Sequence, residues 1–475
     1  MHLQKKTKIV ATIGPATESQ EMLEKLLKAG LNVIRMNFSH GDFAEHQMKI
    51  ENGRAASKKT GIPVSFLQDL GGPKIRTGEF DTESGRVVIK KGKTFTLTTK
   101  KIKGNEEICH VNYEKLPQEV EVGHRIMLDD GKKELKVTKV TKTDIICKVI
   151  EGGELKGRRG VNLPDTNVSI SSLTPKDKKD LEFGVKNKVD FFALSFVRRP
   201  SDVAELRKIL EKNKCTAHII SKIETPQAVA NIDEIIELSD GIMVARGDLA
   251  IEVPAEEVPI IQKQIINKCN LAGKPVITAT QMLESMIHAP VPTRAEVSDI
   301  ANAILDGTDA IMLSEETTLG EFPINAVEVM TRVAKHNEND FLHDQLLSSA
   351  ERIDPKNISE SIGANAIKTA KKINAKLVVS LTNSGKGARC LSRHRSQLPI
   401  LAFSPNKETC QKLTLSFGVW PFEMKKYTDF ANAITDIKKA ISANKLAKKG
   451  DHVVIVGSRP FGKGNGVNMV LVETL

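Results

Sequence analysis

The chain has 475 residues, 40% of them hydrophobic, and a formal charge of +11, a length that predicts roughly two to four domains. No apolar run approaches the roughly 18 residues of a membrane span, the start MHLQKKTKIVATIG has no signal-peptide pattern, and the six scattered cysteines form no C-x-x-C pair, so neither a membrane, a disulfide framework nor a zinc cluster is expected and a reducing cytoplasm fits best. The basic residues are spread along the chain and aromatics are only 4%, which leaves few stacking platforms and favours small anionic substrates over nucleic acid as partners.

Apolar strand-like runs alternate with amphipathic helical runs. The strand candidates, in chain order, are KIVATIG (8–14), NVIRMNF (32–38), VSFLQDL (64–70), DFFALSF (190–196), AHIISKIE (217–224), GIMVARGD (241–248), PVITAT (275–280) and DAIMLSE (309–315). Helical runs such as SQEMLEKLLKAG, SDVAELRKILEKN and TRAEVSDIANAILDG follow most of them, the last with Thr293 and Glu296 at capping-box spacing. This pattern predicts a (β/α)8 barrel, with a doubly wound sheet as the structural alternative.

The alternation breaks between residues 71 and 165, where short β runs with Gly and Asp-Gly turns predict an inserted all-β domain. It resumes at SLTPKDKKDLEFG, with Thr174 as helix cap and Pro175 in the first turn. From about residue 346 a second, smaller α/β unit is expected: helix SESIGANAIKTAKKI, strands KLVVSLT and PILAFS, a long helix, then DHVVIVG and MVLVETL, with an at least partly parallel sheet. The expected domains are therefore 1–70 with 166–345, then 71–165, then 346–475.

The polar residues of the barrel strands gather near the strand C-termini: Arg35 and Asn37 with Ser39 and His40 beyond, Asp69, Lys222 and Glu224, Arg246 and Asp248, Thr278 and Thr280, Ser314 and Glu315. One charged strand end is a cap, but strand C-termini of a barrel converge on one mouth, so six in register make a site. Glu224 and Asp248 suit Mg²⁺, which takes one or two carboxylates plus substrate phosphate, and no His or Cys cluster accompanies them. Lys222 and Arg35 are cations suited to a phosphoryl group. Gly247 and Asp248 open what reads as a short helix, whose free N–H groups suit an anion. Phosphoryl transfer and enolate chemistry both fit.

At this point the chain resembles the pyruvate kinase family over essentially its full length, in TKIVATIGPAT (7–17), RMNFSHG (35–41), GPKIRTG (72–78), GVNLP (160–164), LSFVR (194–198), SKIE (221–224), MVARGDLA (243–250), ATQMLESM (279–286) and IMLSEET (311–317). The resemblance implies a barrel with an inserted β-barrel lid and a C-terminal α/β domain for effector binding and oligomerisation. It implies transfer of the phosphoryl group of phosphoenolpyruvate to ADP, giving ATP and pyruvate. Lys222 would then stabilise charge on the phosphoryl group and enolate, Glu224 and Asp248 would hold Mg²⁺ or Mn²⁺, and Gly247 and Asp248 would meet the substrate carboxylate. Thr280 would lie near the enolate carbon, Arg35 would bind the phosphoryl group, and Asn37, Ser39, His40, Arg76 and Arg159 would line the nucleotide pocket. A homotetramer is also implied.

Two features depart from that pattern or leave it open. The K⁺ pocket of many members resembles Asn37, Ser39, Asp69 and the carbonyl of Leu70, but this chain has Lys74 where those members carry an acid and Leu70 where they carry threonine. A fixed ammonium near the pocket would repel a bound cation by roughly 1–4 kcal/mol, so Lys74 is expected to replace K⁺. The Gly-rich turns LTNSGKGAR (381–389) and GSRPFGKGNG (457–466) suit a phosphorylated effector, a sugar phosphate or nucleotide, through Thr382, Ser384, Gly385, Lys386, Arg389 and Arg459. The extra C-terminal domain of some bacterial members is not expected. Against the kinase stand a Mg²⁺-dependent aldolase on a related barrel, disfavoured by RMNFSHG, Lys222 and the lid, and a non-catalytic anion- or RNA-binding protein, which a steep salt dependence of binding would reveal.

Overall fold

The strands Lys8–Thr12, Val33–Asn37, Ser65–Asp69, Phe191–Leu194, His218–Ile223, Gly241–Ala245, Val276–Ala279 and Ala310–Leu313 close into a parallel barrel in which each pairs with its chain neighbour and the last returns to the first. This computed structural model describes residues 3, 5–338, 357–459 and 466–475. The closure decides against the doubly wound sheet. Strand side chains alternate: Ile9 and Ala11 join the layer under the helices, while Val10, Val33, Leu67, Phe191, Ile220, Met243, Ile277 and Met312 fill the barrel interior. The expected helix starts hold. Thr174 and Asp177 form a capping box ahead of Pro175–Lys186, and Thr293 and Glu296 form another ahead of Arg294–Leu305.

The insertion follows the third strand. It is built from a six-stranded sheet and a two-stranded ribbon, with one short helix, Leu116–Glu119, among the strands. It has its own apolar core, including Phe95, Leu97, Ile126, Leu135, Ile145 and Val149. The two chain passes that join it to the barrel run side by side. Arg76 bridges Gly160, and the Thr77 N–H donates to the Arg159 carbonyl at 2.9 Å.

The C-terminal unit opens with helix Ile358–Lys372 and carries a five-stranded sheet. Four strands are parallel, and Met469–Thr474 runs antiparallel to His452–Gly457 at one edge. The sequence suggests one long helix after PILAFS. The structure instead has helix Lys407–Leu413, strand Val419–Glu423 and helix Phe430–Ala443. Pro421 obscures that strand, which is tolerated because it lies at the sheet edge, where a missing N–H breaks no ladder.

This unit packs against the barrel floor, opposite the mouth. Leu415 closes the interior core from below. Arg395 pairs with Asp309 inside the contact, and the Phe417 N–H donates to the same carboxylate at 2.9 Å. The expected boundary near residue 345 lies outside the described residues. Among the described residues no helix is long and apolar enough to cross a membrane, and all six cysteines are free.

Candidate active site

Lys222 lies near the end of the strand His218–Ile223, and Glu224 follows directly after it. Residues two apart on a strand share a face, and these two meet, with Lys222 Nζ 3.0 Å from Glu224 Oε1. They do not form an isolated pair. Asp69, the last residue of its strand, lies 3.3 Å from the same ammonium and is only 1% exposed. Arg35 holds the other oxygen of Asp69 from two nitrogens, Nε at 2.8 Å and Nη2 at 2.6 Å. Arg35 Nη1 donates to Thr12 Oγ at 2.7 Å, and Thr12 Oγ donates to the Leu313 carbonyl at 2.9 Å. Residues from the first, second, third, fifth and eighth strands are thus tied into one polar network at the strand C-termini.

Its charges are mutually dependent. Burial would raise the Asp69 carboxyl, but Lys222 and Arg35 hold it below the ordinary carboxylate range. Burial would strip the proton from Lys222, yet Asp69 and Glu224 keep its ammonium above the ordinary lysine value. Glu224 goes the other way. Burial raises its carboxyl, Lys222 opposes that shift and Asp248 adds to it. Its Oε2 accepts the Phe196 N–H at 2.7 Å, while Oε1 is buried and, although near Lys222, has no donor in line for a hydrogen bond.

That acceptor fits a divalent cation. Asp248, half-buried in the first turn of helix Arg246–Glu252, is the second carboxylate that could hold it. Among the described residues no group of three His, Cys, Asp or Glu side chains could enclose a metal. Two carboxylates with open positions suit Mg²⁺, which keeps waters and substrate oxygens in its shell.

The strand end at Val276–Ala279 is strained. Thr280 adopts φ +71° and Gln281 φ +53°, and a positive φ at a β-branched residue is a true outlier. Arg246 holds the distortion by donating to the Thr280 carbonyl at 2.7 Å and the Ala279 carbonyl at 3.2 Å, with Asp299 2.7 Å behind it. The Gly247 N–H, expected to be free for an anion, donates to Thr280 Oγ at 2.8 Å. A carboxylate would have to displace that hydroxyl.

The candidate nucleotide residues fall into two groups. Asn37, Ser39 and His40 form a turn above the second strand, in which Asn37 Oδ1 accepts the Ser39 N–H at 3.1 Å and Ser39 and His40 are exposed. Arg76 and Arg159 lie on the two paired chain passes into the insertion, Arg76 exposed and Arg159 3.2 Å from Asp129. The lid reaches the helix that carries Asp248, since Asn162 Nδ2 donates to Glu252 at 2.8 Å. Leu70 is buried and its carbonyl accepts Ser195 Oγ at 2.7 Å. Lys74 is half-buried in the segment that enters the insertion and makes no ion pair among the described residues.

Sequence reasoning overlooked several participants. Ser195 reads as an ordinary strand-end serine in LSF. Lys176, whose ammonium donates to the Phe38 carbonyl at 2.7 Å beside the Asn37–His40 turn, reads as one of many surface lysines. Glu316 accepts the Ser314 and Leu283 N–H groups at 2.7 and 3.1 Å; its only signal was its place in IMLSEET.

Of the C-terminal candidates, Thr382, Ser384 and Lys386 line a cavity of about 110 Å³ with Lys425, Lys426 and Tyr427. Gly385 caps the helix Lys386–Ser392 at φ +81°, and its N–H donates to Thr382 Oγ at 2.9 Å. Arg389 is not part of that cavity and lines a small void against the barrel floor with Lys274 and Asp309. Arg459 is exposed and pairs through its backbone with Asn468.

Residues 4–327 match the family described as pyruvate kinase, barrel domain, and residues 360–473 match pyruvate kinase, alpha/beta domain. The chain belongs to the pyruvate kinase family. It is therefore a phosphotransferase. It is 46% identical over 471 residues to a pyruvate kinase of Staphylococcus saprophyticus, covering 98% of this chain and 80% of that protein. It is 43% identical over 474 residues to one of Clostridium perfringens, covering 99% and 100%. Its fold is similar to the crystal structure of a pyruvate kinase from Cryptosporidium parvum, with a TM-score of 0.95 and 37% identity over 99% of this chain and 96% of that one.

Proposed function

We propose that the barrel mouth transfers the phosphoryl group of phosphoenolpyruvate to ADP, as the last step of glycolysis. The observation that carries this reading is the buried network of Lys222, Asp69, Arg35 and Glu224 at the strand C-termini. An oxygen of the ADP β-phosphate attacks phosphorus, the enolate leaves, and protonation at its methylene carbon gives pyruvate. Arg35 grips the phosphoryl oxygens. Lys222 stabilises the charge that shifts from the phosphoryl group to the enolate oxygen, in a site shielded from water. Glu224 and Asp248 would hold Mg²⁺, which would supply positive charge to the anionic substrate. Thr280 stands beside the enolate carbon in the path of its proton, and Gly247 and Asp248 meet the carboxylate. Asn37, Ser39, His40, Arg76 and Arg159 receive the nucleotide, and closure of the lid over residues 71–165 limits wasteful hydrolysis.

The monovalent-cation pocket of Asn37, Ser39, Asp69 and the Leu70 carbonyl works without K⁺. One observation supports this: Asp69 is already shared between two cations, Arg35 and Lys222; Lys74, in the segment that leads into the insertion, is the further cation the sequence offers. Pyruvate formation from phosphoenolpyruvate, ADP and Mg²⁺ is expected to run at equal turnover in K⁺ and in tetramethylammonium. Activity confined to K⁺ would keep the kinase and discard the role of Lys74. No activity in either salt would overturn the roles given to the residues of the barrel mouth.

The cavity around Thr382, Ser384 and Lys386 receives a phosphorylated effector, with Lys425 and Lys426 adding charge at its rim. A sugar bisphosphate or nucleoside monophosphate is expected to lower the phosphoenolpyruvate KM, and Lys386→Ala with Ser384→Ala should abolish that shift while leaving basal turnover intact. If neither ligand moves KM, the effector site is wrong and the active site is untouched. The assembly is a homotetramer in the cytoplasm, and sedimentation of the full chain reads the oligomeric part.

A further inference from the structure

A lysine ends in a compact charge on a flexible four-carbon stem, so burial alone does not aim it. Three side-chain oxygens lie close to the Lys222 ammonium: Ser195 Oγ accepts a hydrogen bond from it at 2.7 Å, while Glu224 Oε1 at 3.0 Å and Asp69 Oδ1 at 3.3 Å are ion-pair neighbours out of line with its N–H bonds. The two carboxylates have other claims on them. Asp69 is gripped by Arg35, and Glu224 is the acid assigned above to the divalent cation. Of the three, Ser195 alone is neutral. It is also the nearest, and it orients the ammonium without cancelling the charge that the reaction needs.

The hydroxyl of Ser195 is itself oriented. It has one proton, and the Leu70 carbonyl at 2.7 Å is a closer acceptor than Asp69 Oδ1 at 3.3 Å. Donation to Leu70 leaves a lone pair for Lys222. Leu70 is fixed in turn, since its N–H donates to the Ala193 carbonyl at 3.0 Å. Ser195 is 2% exposed and directly follows the strand Phe191–Leu194. The next residue, Phe196, adopts φ +53°, which turns its N–H onto Glu224. Gly72 seals the other side. A Cβ there would come within 3.0 Å of Ser195 Cβ, at a backbone φ of +66°.

We propose that Ser195 is the positioning residue of the site: the chain from Lys222 N–H through the Ser195 hydroxyl to the Leu70 carbonyl aims the ammonium at the transferring group. The Leu70 carbonyl also belongs to the monovalent-cation pocket, so Ser195 joins that pocket to Lys222. This inference rests on the role given to Lys222 above.

The test is a mutant cycle on the full-length enzyme, using Ser195→Ala, Ser195→Thr, Lys222→Arg and Ser195→Ala combined with Lys222→Arg. Ser195→Ala should lower kcat about tenfold or more, as loss of a bond to a charged group does, with the phosphoenolpyruvate KM changed less than about threefold. Ser195→Thr, which keeps the hydroxyl, should recover most of that loss. In the Lys222→Arg background, Ser195→Ala should cost no more than about twofold, because a residue acting through Lys222 has nothing left to aim. An equal loss in both backgrounds, or a rise in KM at unchanged kcat, overturns the proposal. Near-normal turnover of Lys222→Arg alone would instead overturn the role of Lys222. If Ser195→Ala fails to fold, Ser195→Cys, close in size but a weak acceptor, must show the same kcat loss or the proposal fails.

Discussion

Replacing Lys222 with methionine lowers kcat by about a thousandfold, the upper range for loss of one preorganised charge donor in a water-excluded site. Methionine nearly matches the length of the lysine stem, so the change removes charge more than shape. Ground-state contacts remain, because Arg35 and the two carboxylates proposed to hold Mg²⁺ are untouched, and the phosphoenolpyruvate KM should move far less than kcat. The same substitution also acts on the resting protein. Only 12% of the lysine side chain is exposed, and it separates two buried carboxylates. Arg35 still compensates Asp69, but Glu224 loses its ion-pair partner. Removing one partner of a buried pair costs about 3–5 kcal/mol, so the variant melts at a lower temperature than the parent. Saturating Mg²⁺ should restore part of that loss, because the metal gives Glu224 a cation again. Steady-state kinetics and thermal melts with and without Mg²⁺ check both parts. A drop in kcat of less than about tenfold would remove Lys222 from the charge-stabilising role.

Much of this site was legible because a parallel barrel turns strand order into position. Once the eight apolar runs are recognised, each polar strand end must face one mouth, and Arg35, Asp69, Lys222 and Glu224 fall together for that reason alone. What stayed hidden was bonding geometry. Ser195 carries no charge, so nothing in its residue type distinguishes it from a strand-end cap. Its role appears only when the Leu70 carbonyl and Lys222 are seen on either side of its hydroxyl. The Gly247 N–H was expected to be free, since sequence cannot show that Thr280, 33 positions on, takes it. Arg389 was grouped with Lys386 because they are neighbours in one motif. The helix turns Arg389 toward a void at the barrel floor, with its guanidinium still 3.5 Å from the Ser384 carbonyl, while Lys386 lines the cavity itself. Strand Val419–Glu423 was missed because Pro421 lowers the strand signal, and only the sheet order shows that this position is an edge.

Glu224→Gln raises the Mg²⁺ concentration needed for half-maximal activity by about two orders of magnitude, since a site with two carboxylates loses half its formal charge. Glutamine keeps the side-chain length, and its carbonyl oxygen still accepts the Phe196 N–H that Glu224 Oε2 now accepts at 2.7 Å. The change is therefore one of charge at fixed shape. Asp248→Asn should weaken the metal comparably, but its consequences for the empty protein differ. Glu224 is buried against Lys222 and Asp248 is half-buried on a helix. Neutralising Glu224 leaves Lys222 to Asp69 and Ser195, whereas neutralising Asp248 removes the like charge that raises the Glu224 carboxyl. The two variants should thus lose Mn²⁺ binding together, followed by the spin-resonance signal of free Mn²⁺ without substrates, while only Glu224→Gln disturbs the Lys222 network in the resting protein. Unchanged Mn²⁺ binding in both would mean that these acids are not the metal ligands. Loss in Glu224→Gln alone would leave the metal on Glu224 and substrate oxygens, and would make Asp248 a group that acts through the substrate carboxylate instead.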